Sequence, residues 1–264
     1  MEPTASMALR AARKAGDLIM RASDDMDRVG YQAKAAADFV TEVDIAAEQE
    51  ILCQLGKTYP EHRFLCEESG LSGNEDSDYT WVVDPLDGTS NFLRGIPHYA
   101  ISIACLHRTK IEHAVVYDPV RQEEFIASRG RGAQLNGHRI RVGSRHELTE
   151  SLVGTGVPFL GHCDEQLDWY TQSLAAIASR SMGIRRAGAA SLDLAYVAAG
   201  RLDGFWEMGL NQWDIAAGAL LVREAGGLIT DLSGGEGWYD SGNVVCGNSK
   251  LMRHLLPLVK WSTA

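Results

Sequence analysis

Apolar residues recur at helical spacing near the start of the chain. Ala8, Ala11, Ala12, Ala15, Leu18, Ile19 and Ala22 share one side, with charged residues opposite. This predicts an amphipathic helix over residues 4–27. A second helix is predicted from near Thr41, turning Ile45, Ile51, Leu52 and Leu55 inward and stopping before Pro60. Strands follow. Arg63–Cys66 and Thr80–Asp84 read as short buried strands, and 98–107, 110–117 and 122–128 as an antiparallel meander rich in β-branched and aromatic residues. Gly130–Gly137 reads as hairpin turn chemistry rather than a phosphate cradle. After about residue 145 helix and strand alternate. Asp164–Ser179 and Ser191–Ala199 are predicted helices, and Gly204–Glu207 a strand. Ile215–Ala225 is a nearly all-apolar helix closed by Gly226-Gly227. Strands at 228–232 and 243–246 precede a terminal helix interrupted by Pro257. The pattern gives a mixed α/β (α+β) class with layered sheets. It divides into an N-terminal half, 1–145, and a C-terminal half, 146–264, forming one compact unit.

Composition narrows the chemistry. The 264 residues are 45% hydrophobic and 23% charged, as in a globular enzyme. Lysine and arginine total 25 against 35 acidic residues, a net charge of -10, which argues against direct nucleic-acid binding. An acidic enzyme with an anionic substrate must neutralise charge locally, and a bound metal does this most simply. The five cysteines, Cys53, Cys66, Cys105, Cys163 and Cys246, are odd in number and form no Cys-x-x-Cys pair. That suits a reduced, cytoplasmic setting. No signal-like segment opens the chain, and no apolar run of about 18 residues predicts a membrane span.

The segment Trp81–Thr89 carries the most information. Three apolar residues deliver Asp84 to a strand end, and Pro85 stops the ladder by removing a donor. The Leu86 carbonyl is then free of sheet pairing, and Asp87, Gly88 and Thr89 lead into a helix near Ser90-Asn91. Two carboxylates and a carbonyl at a tight turn are hard oxygen ligands of the kind Mg²⁺ prefers. The new helix start offers N–H groups to phosphate. Asp87 is equally explained as an N-cap. Glu67-Glu68 repeats the strand-end placement, though paired glutamates are ordinarily solvated. Asp214 opens the apolar helix, either as its N-cap or as a buried carboxylate that needs a cation. Thr41 and Asp44 fit an N-cap with an acidic residue at N3. No nucleophilic cysteine or histidine motif is visible, and a Cys66 thiolate beside glutamates is electrostatically disfavoured.

Cys66-Glu67-Glu68-Ser69, Trp81–Asn91, and Trp213–Ala217 with Glu224-Ala225-Gly226-Gly227 together resemble the inositol monophosphatase family, within the lithium-sensitive, Mg²⁺-dependent phosphatases. The resemblance runs from about residue 8 to about 250. Asp118–Gly137 and Arg185–Gly204 look most like the proteobacterial branch, where at least one member also serves in ribosomal-RNA transcription antitermination. The resemblance implies a layered α-β-α-β-α sandwich, a homodimer, and two or three Mg²⁺ ions. Glu67, Asp84 and the Leu86 carbonyl would hold the first ion, Asp84, Asp87 and Asp214 the second, with Glu67 also near a weaker third. Thr89, oriented by Asp44, would position or deprotonate the attacking water, with Glu67, Asp44 and Thr89 as the catalytic set. Gly88 and Thr89 N–H groups would bind phosphate. Gly188, Ala189, Ala190 and Glu207 would contact the alcohol. In this chain Cys66, Ser90 and Ala189 depart from the family's usual residues.

The implied activity is hydrolysis of small phosphate monoesters, myo-inositol-1-phosphate foremost, by direct in-line attack of water between two ions. Alternatives are fructose-1,6-bisphosphate, histidinol phosphate or 3′-phosphonucleotides as substrates, or a transcription-complex partner with secondary phosphatase activity. Arg180, Arg185 and Arg186 form a basic cluster that either serves such a partner or is a solvated face or dimer contact.

Overall fold

The computed structural model describes residues 2–25, 30–35, 38–158 and 164–260. Cys163 and the predicted helix end at 26–27 lie outside them. Helix α1 spans Pro3–Ser23, and a hairpin of β1 (Tyr31–Ala35) and β2 (Asp38–Thr41) leads into α2 (Glu42–Thr58). Thr41 caps α2 while Asp44 reaches back to the cap backbone, so the predicted capping box is present. The inward stripe of α2 is Val43, Ala47, Ile51 and Leu55, one residue every fourth position. Ile45 is off that stripe and is 45% exposed, contrary to the sequence expectation.

The larger sheet has eight strands in the order β10-β9-β8-β7-β6-β5-β3-β4. These are β3 (Arg63–Cys66), β4 (Gly70–Gly73), β5 (Tyr79–Asp87), β6 (Ala100–His107), β7 (Lys110–Asp118), β8 (Glu123–Ser128), β9 (Gly132–Leu135) and β10 (His138–Arg139). The meander β6-β7-β8 is antiparallel, as its sequence predicts. Pro85 does not end β5. The ladder to β6 pairs Asp84 with Ser102, skips two residues and resumes at Asp87 with Ala100. Proline has no N–H to donate, and the Leu86 N–H is turned onto the Asp84 carboxylate, so the strand bulges instead of stopping.

The smaller sheet runs β12-β11-β13-β15-β14. Its strands are β11 (Leu152–Thr155), β12 (Gly183–Arg185), β13 (Gly204–Glu207), β14 (Leu228–Thr230) and β15 (Val244–Gly247). Helices α3 (Thr89–Leu93), α4 (Asp164–Ala178), α5 (Ala190–Ala198), α6 (Gln212–Glu224), α7 (Trp238–Ser241) and α8 (Met252–Val259) complete the molecule. Pro257 lies inside α8 without breaking it. Pro257 and Arg253, whose carbonyl loses its partner, are both exposed, so water can take the missing donor's place.

Alternation along the strands assigns the layers. Trp81 and Val83 face α1 and α2, whereas Val82 and Ala104 face α5 and α6. The other side of α5 and α6 meets Phe205, Val244 and Cys246 of the smaller sheet. That sheet's outer face, through Trp206 and Val245, packs on α4 and α8. The architecture is therefore α-β-α-β-α. It explains why α6 is apolar nearly all round: both of its faces meet a sheet. Among the described residues no helix is long and apolar enough to cross a membrane.

Candidate functional site

One parallel pairing sets the site. In an otherwise antiparallel sheet, β3 runs parallel to β5, with Cys66 opposite Val83. The Glu67 N–H donates to the Val83 carbonyl at 3.1 Å. Glu67, just past the end of β3, therefore comes level with Asp84 in β5, and their side chains share a hydrogen bond.

Asp214 comes from the other side. It is not the N-cap of α6. Asn211 is the N-cap, and Asp214 sits at N3 and accepts the Asn211 N–H at 2.7 Å. The Ser102 hydroxyl donates to the Trp213 carbonyl at 2.9 Å, tying the start of α6 to β6. This places Asp214 within a side-chain hydrogen bond of Asp84.

Asp87 does not cap the helix that follows it. The N-cap of α3 is Gly88, in a left-handed conformation at φ 97°. A Cβ there would lie 3.0 Å from the His98 carbonyl and 3.3 Å from the Gly188 carbonyl, so the two segments close on glycine backbone. Asp87 instead accepts the Ser191 N–H at 2.8 Å, the Ser191 hydroxyl and the Ala190 N–H, capping the distant helix α5. Asn91 binds the two segments further, donating to the carbonyls of His98 at 2.8 Å and Ala187 at 2.9 Å. Gly188 is left-handed at φ 87°, and Ala189 and Ala190 are buried.

The Thr89 hydroxyl donates to Asp44 Oδ1 at 2.8 Å and lies 3.0 Å from the Leu86 carbonyl oxygen. The other Asp44 oxygen accepts the Thr41 N–H at 3.0 Å. The Leu86 carbonyl is thus outside the β ladder, as its sequence suggests.

Glu207 ends β13, half-buried, against Gly156, where a Cβ would fall 1.7 Å from its Oε1. A side chain at 156 would have to push that carboxylate aside. The charges of Asp193, Asp214 and Asp87 act on it, and Arg186 partly offsets them. The arginine cluster divides. Arg180 donates to the Ala176 carbonyl and Arg185 to the Ile184 carbonyl, while the charge of Arg186 is felt by Asp193 and Glu207.

Electrostatics identify what the site lacks internally. Burial, then the charges of Glu67, Asp87 and Asp214, push the Asp84 carboxyl well above its ordinary range. Burial and the charge of Asp87 do the same to Asp214. Burial raises Asp87 to about 6 even though N–H groups favour its charged form. Among the described residues no group of three His, Cys, Asp or Glu side chains is already spaced to hold a metal ion. The carboxyls instead hydrogen-bond to one another through Asp84. A hard divalent cation fits this all-oxygen donor set, since it would supply the positive charge that the cluster lacks. Burial, with the charge of Glu48, pushes the Cys66 thiol up to about 12, so it is no nucleophile.

Three participants carry no clear sequence signal: Ser191, whose partner is 104 positions away, Gly156, and Glu48. Glu48 follows Asp44 by one helical turn and is likewise buried, a spacing that marks it in retrospect. The glycine-rich turn also has an unforeseen role. The Gly130 and Gly132 N–H groups both donate at 2.7 Å to the Glu224 carboxylate, locking the β8–β9 hairpin to the end of α6.

Comparison with known proteins adds family context. The pattern describing the Inositol monophosphatase family matches residues 1–263. The Nus factor SuhB of Pseudomonas aeruginosa is 54% identical over 262 residues, covering 98% of this chain and 97% of that one. The crystal structure of extragenic suppressor protein suhB from Bartonella henselae superposes with a TM-score of 0.95 at 42% identity, over 99% of this chain and 100% of that one. The inositol monophosphatase from Anabaena gives a TM-score of 0.82 at 32% identity, over 97% and 94% of the two chains.

Proposed function

The chain belongs to the inositol monophosphatase family, and on that premise we propose that it is a Mg²⁺-dependent phosphatase of small phosphate monoesters, with myo-inositol-1-phosphate as the leading substrate. One observation carries this reading. Asp84 shares side-chain hydrogen bonds with both Glu67 and Asp214, joining carboxyls from three segments, and the charge of Asp87 acts on both Asp84 and Asp214.

Glu67, Asp84, the Leu86 carbonyl, Asp87 and Asp214 would hold two Mg²⁺ ions, with a weaker third near Glu67. Bound there, the ions supply Lewis acidity toward the phosphoryl oxygens and neutralise developing charge. The chain's own groups do the rest. Asp44 holds the Thr89 hydroxyl, so that its oxygen can orient an attacking water and pass on its proton. The Gly88 and Thr89 N–H groups face the phosphate. Gly188, Ala189, Ala190 and Glu207 would contact the alcohol, with Glu207 accepting its hydroxyls and repelling a second phosphate. The reading also implies inhibition by Li⁺, a cytoplasmic homodimer, and the halves 1–145 and 146–264 acting as one catalytic unit.

The test is a panel of inositol-1-phosphate, fructose-1,6-bisphosphate, histidinol phosphate and 3′-phosphoadenosine 5′-phosphate, each with Mg²⁺ and with excess chelator. Phosphate release from inositol-1-phosphate that chelator abolishes, with far-UV circular dichroism unchanged, is the expected result. Full turnover in chelator refutes the proposal.

A second reading rests on the relatives named Nus factor SuhB. On it, the chain is also a partner in a transcription antitermination complex. An antitermination reporter in cells depleted of their own factor separates the roles: rescue by Asp87→Asn as well as by wild type assigns the cellular task to the partner role.

A further inference from the structure

Helix α2 carries two buried carboxylates one turn apart, Asp44 and Glu48, at 0% and 3% exposure. Asp44 is accounted for by Thr89. Glu48 serves a different segment. Its Oε2 accepts the Glu68 N–H at 2.9 Å, and its Oε1 accepts the Ser69 N–H at 3.0 Å. Both oxygens are therefore spent on consecutive amides of the turn that leaves β3. On the other side of the same residue, the Glu67 N–H is fixed to the Val83 carbonyl at 3.1 Å. The backbone of Glu67 is clamped from both sides, by β5 before it and by α2 after it.

A turn needs no buried charge to hold it. Burying a carboxylate is costly unless strong hydrogen bonds compensate, and an apolar residue would fill the same place in α2. Two charge-assisted bonds to backbone donors are strong and directional. They are spent where a single residue, Glu67, must present its carboxylate toward Asp84. We infer that Glu48 is a positioning residue for the cation site: it fixes the Glu67 backbone, and through it the direction of the Glu67 carboxylate. Helix α2 thus aligns two separate parts of the machinery, the Thr89 hydroxyl through Asp44 and the Glu67 ligand through Glu48. The inference rests on the reading that Glu67 holds a cation.

Glu48→Gln keeps the size of the side chain. Its amide nitrogen cannot accept an N–H, so one bond is lost and a donor is set against a donor. Metal-stripped full-length protein is titrated with Mn²⁺, free Mn²⁺ being read by electron paramagnetic resonance, for wild type, Glu48→Gln and Glu67→Gln. Loss of a partner that orients a ligand typically weakens metal binding by about 10–100-fold. Glu48→Gln is expected to raise the Mn²⁺ Kd by that factor at the site that Glu67→Gln abolishes. Its kcat at saturating Mg²⁺ should stay within a few-fold of wild type. Glu48→Asp, which withdraws the charge by one methylene, gives the same reading if Glu48→Gln does not fold. A lowered Tm with unchanged Mn²⁺ affinity overturns the inference and leaves Glu48 a brace of the turn only. If Glu67→Gln also binds Mn²⁺ like wild type, it is the cation reading that fails.

Discussion

Asp44 accepts the Thr89 hydroxyl at 2.8 Å with one oxygen and completes the capping box of α2 with the other. A residue whose sequence context explains it fully as a helix cap therefore also reaches a catalytic candidate. The cap and the site use the same carboxylate, so the start of α2 and the Thr89 hydroxyl cannot move independently.

This pairing makes a kinetic prediction. Thr89→Ala and Asp44→Asn should each lower kcat by about 10²–10⁴, the range for a lost acid–base contributor. The double variant should be little worse than either single one, because groups that act as a unit are not additive. Additive losses in steady-state kinetics would show that Asp44 and Thr89 act separately.

Asp214 occupies N3 of α6, where asparagine can still accept the Asn211 N–H. Asp214→Asn should leave the urea midpoint close to wild type while reducing kcat by at least about 10²–10³, as when one electrostatic contributor is removed. A near-normal rate with a weakened fold would confine Asp214 to helix capping.

The carboxyl cluster links stability to pH. Asp84, Asp87 and Asp214 titrate above their unfolded values, Asp87 at about 6. Such groups stabilise the metal-free fold below the unfolded carboxylate range, near pH 4, and that contribution is lost as pH rises through the folded values. Mg²⁺ held by these carboxyls, as proposed, would compete with those protons. Its increment in Tm should therefore be larger at pH 8 than at pH 5, measured by thermal melts of metal-stripped protein. An increment independent of pH would place the ion elsewhere.

Glu207 and Gly156 should behave as one specificity element. A Cβ at 156 falls 1.7 Å from Glu207 Oε1, so Gly156→Ala must displace the carboxylate. Glu207→Gln removes its charge. Both should lower the ratio of kcat/KM for inositol-1-phosphate to that for fructose-1,6-bisphosphate, with Mg²⁺ dependence retained. An unchanged ratio in both variants would remove Glu207 from substrate discrimination.

His62 gives a further pH handle, away from the site. The fully buried Trp81 donates its indole N–H to His62 Nδ1 at 3.0 Å, and His62 stacks between Tyr59 and Tyr79. Burial lowers the His62 pKa, since the folded state needs the neutral ring. Its contribution is present above the unfolded value, about 6.5, and is lost as pH falls through the lower folded value. Wild type should lose stability relative to His62→Gln, which can still accept the indole N–H, between pH 7 and 5. Parallel denaturation curves across that range would remove His62 as the cause.

Local chemistry was legible in the sequence. The strands Arg63–Cys66 and Gly204–Glu207 and the Thr41–Asp44 capping box follow from apolar runs and a short spacing rule, and all are present. The strand-end reading holds for Glu67, which follows β3, but not for Asp84, because β5 bulges at Pro85 and runs on to Asp87. What sequence could not show is contact between distant polar groups. Ser191 on Asp87 and Glu224 on the Gly130 turn join segments some hundred residues apart, and serine, glutamate and glycine there carry no periodic signal. The β1–β2 hairpin and β4 were missed for a different reason. They are short, polar or glycine-bearing strands whose pairing is set by a neighbour rather than by their own pattern.

The position of α6 between the two sheets has a consequence for the order of synthesis. A chain growing from its N-terminus presents Glu67, Asp84 and Asp87 well before α6 exists. Until α5 and α6 emerge, one face of the eight-stranded sheet has no cover and three carboxylates have no fourth. Asp214 arrives with the same helix that closes the core. Burial of that face and the arrival of the Asp214 carboxylate both wait on α6.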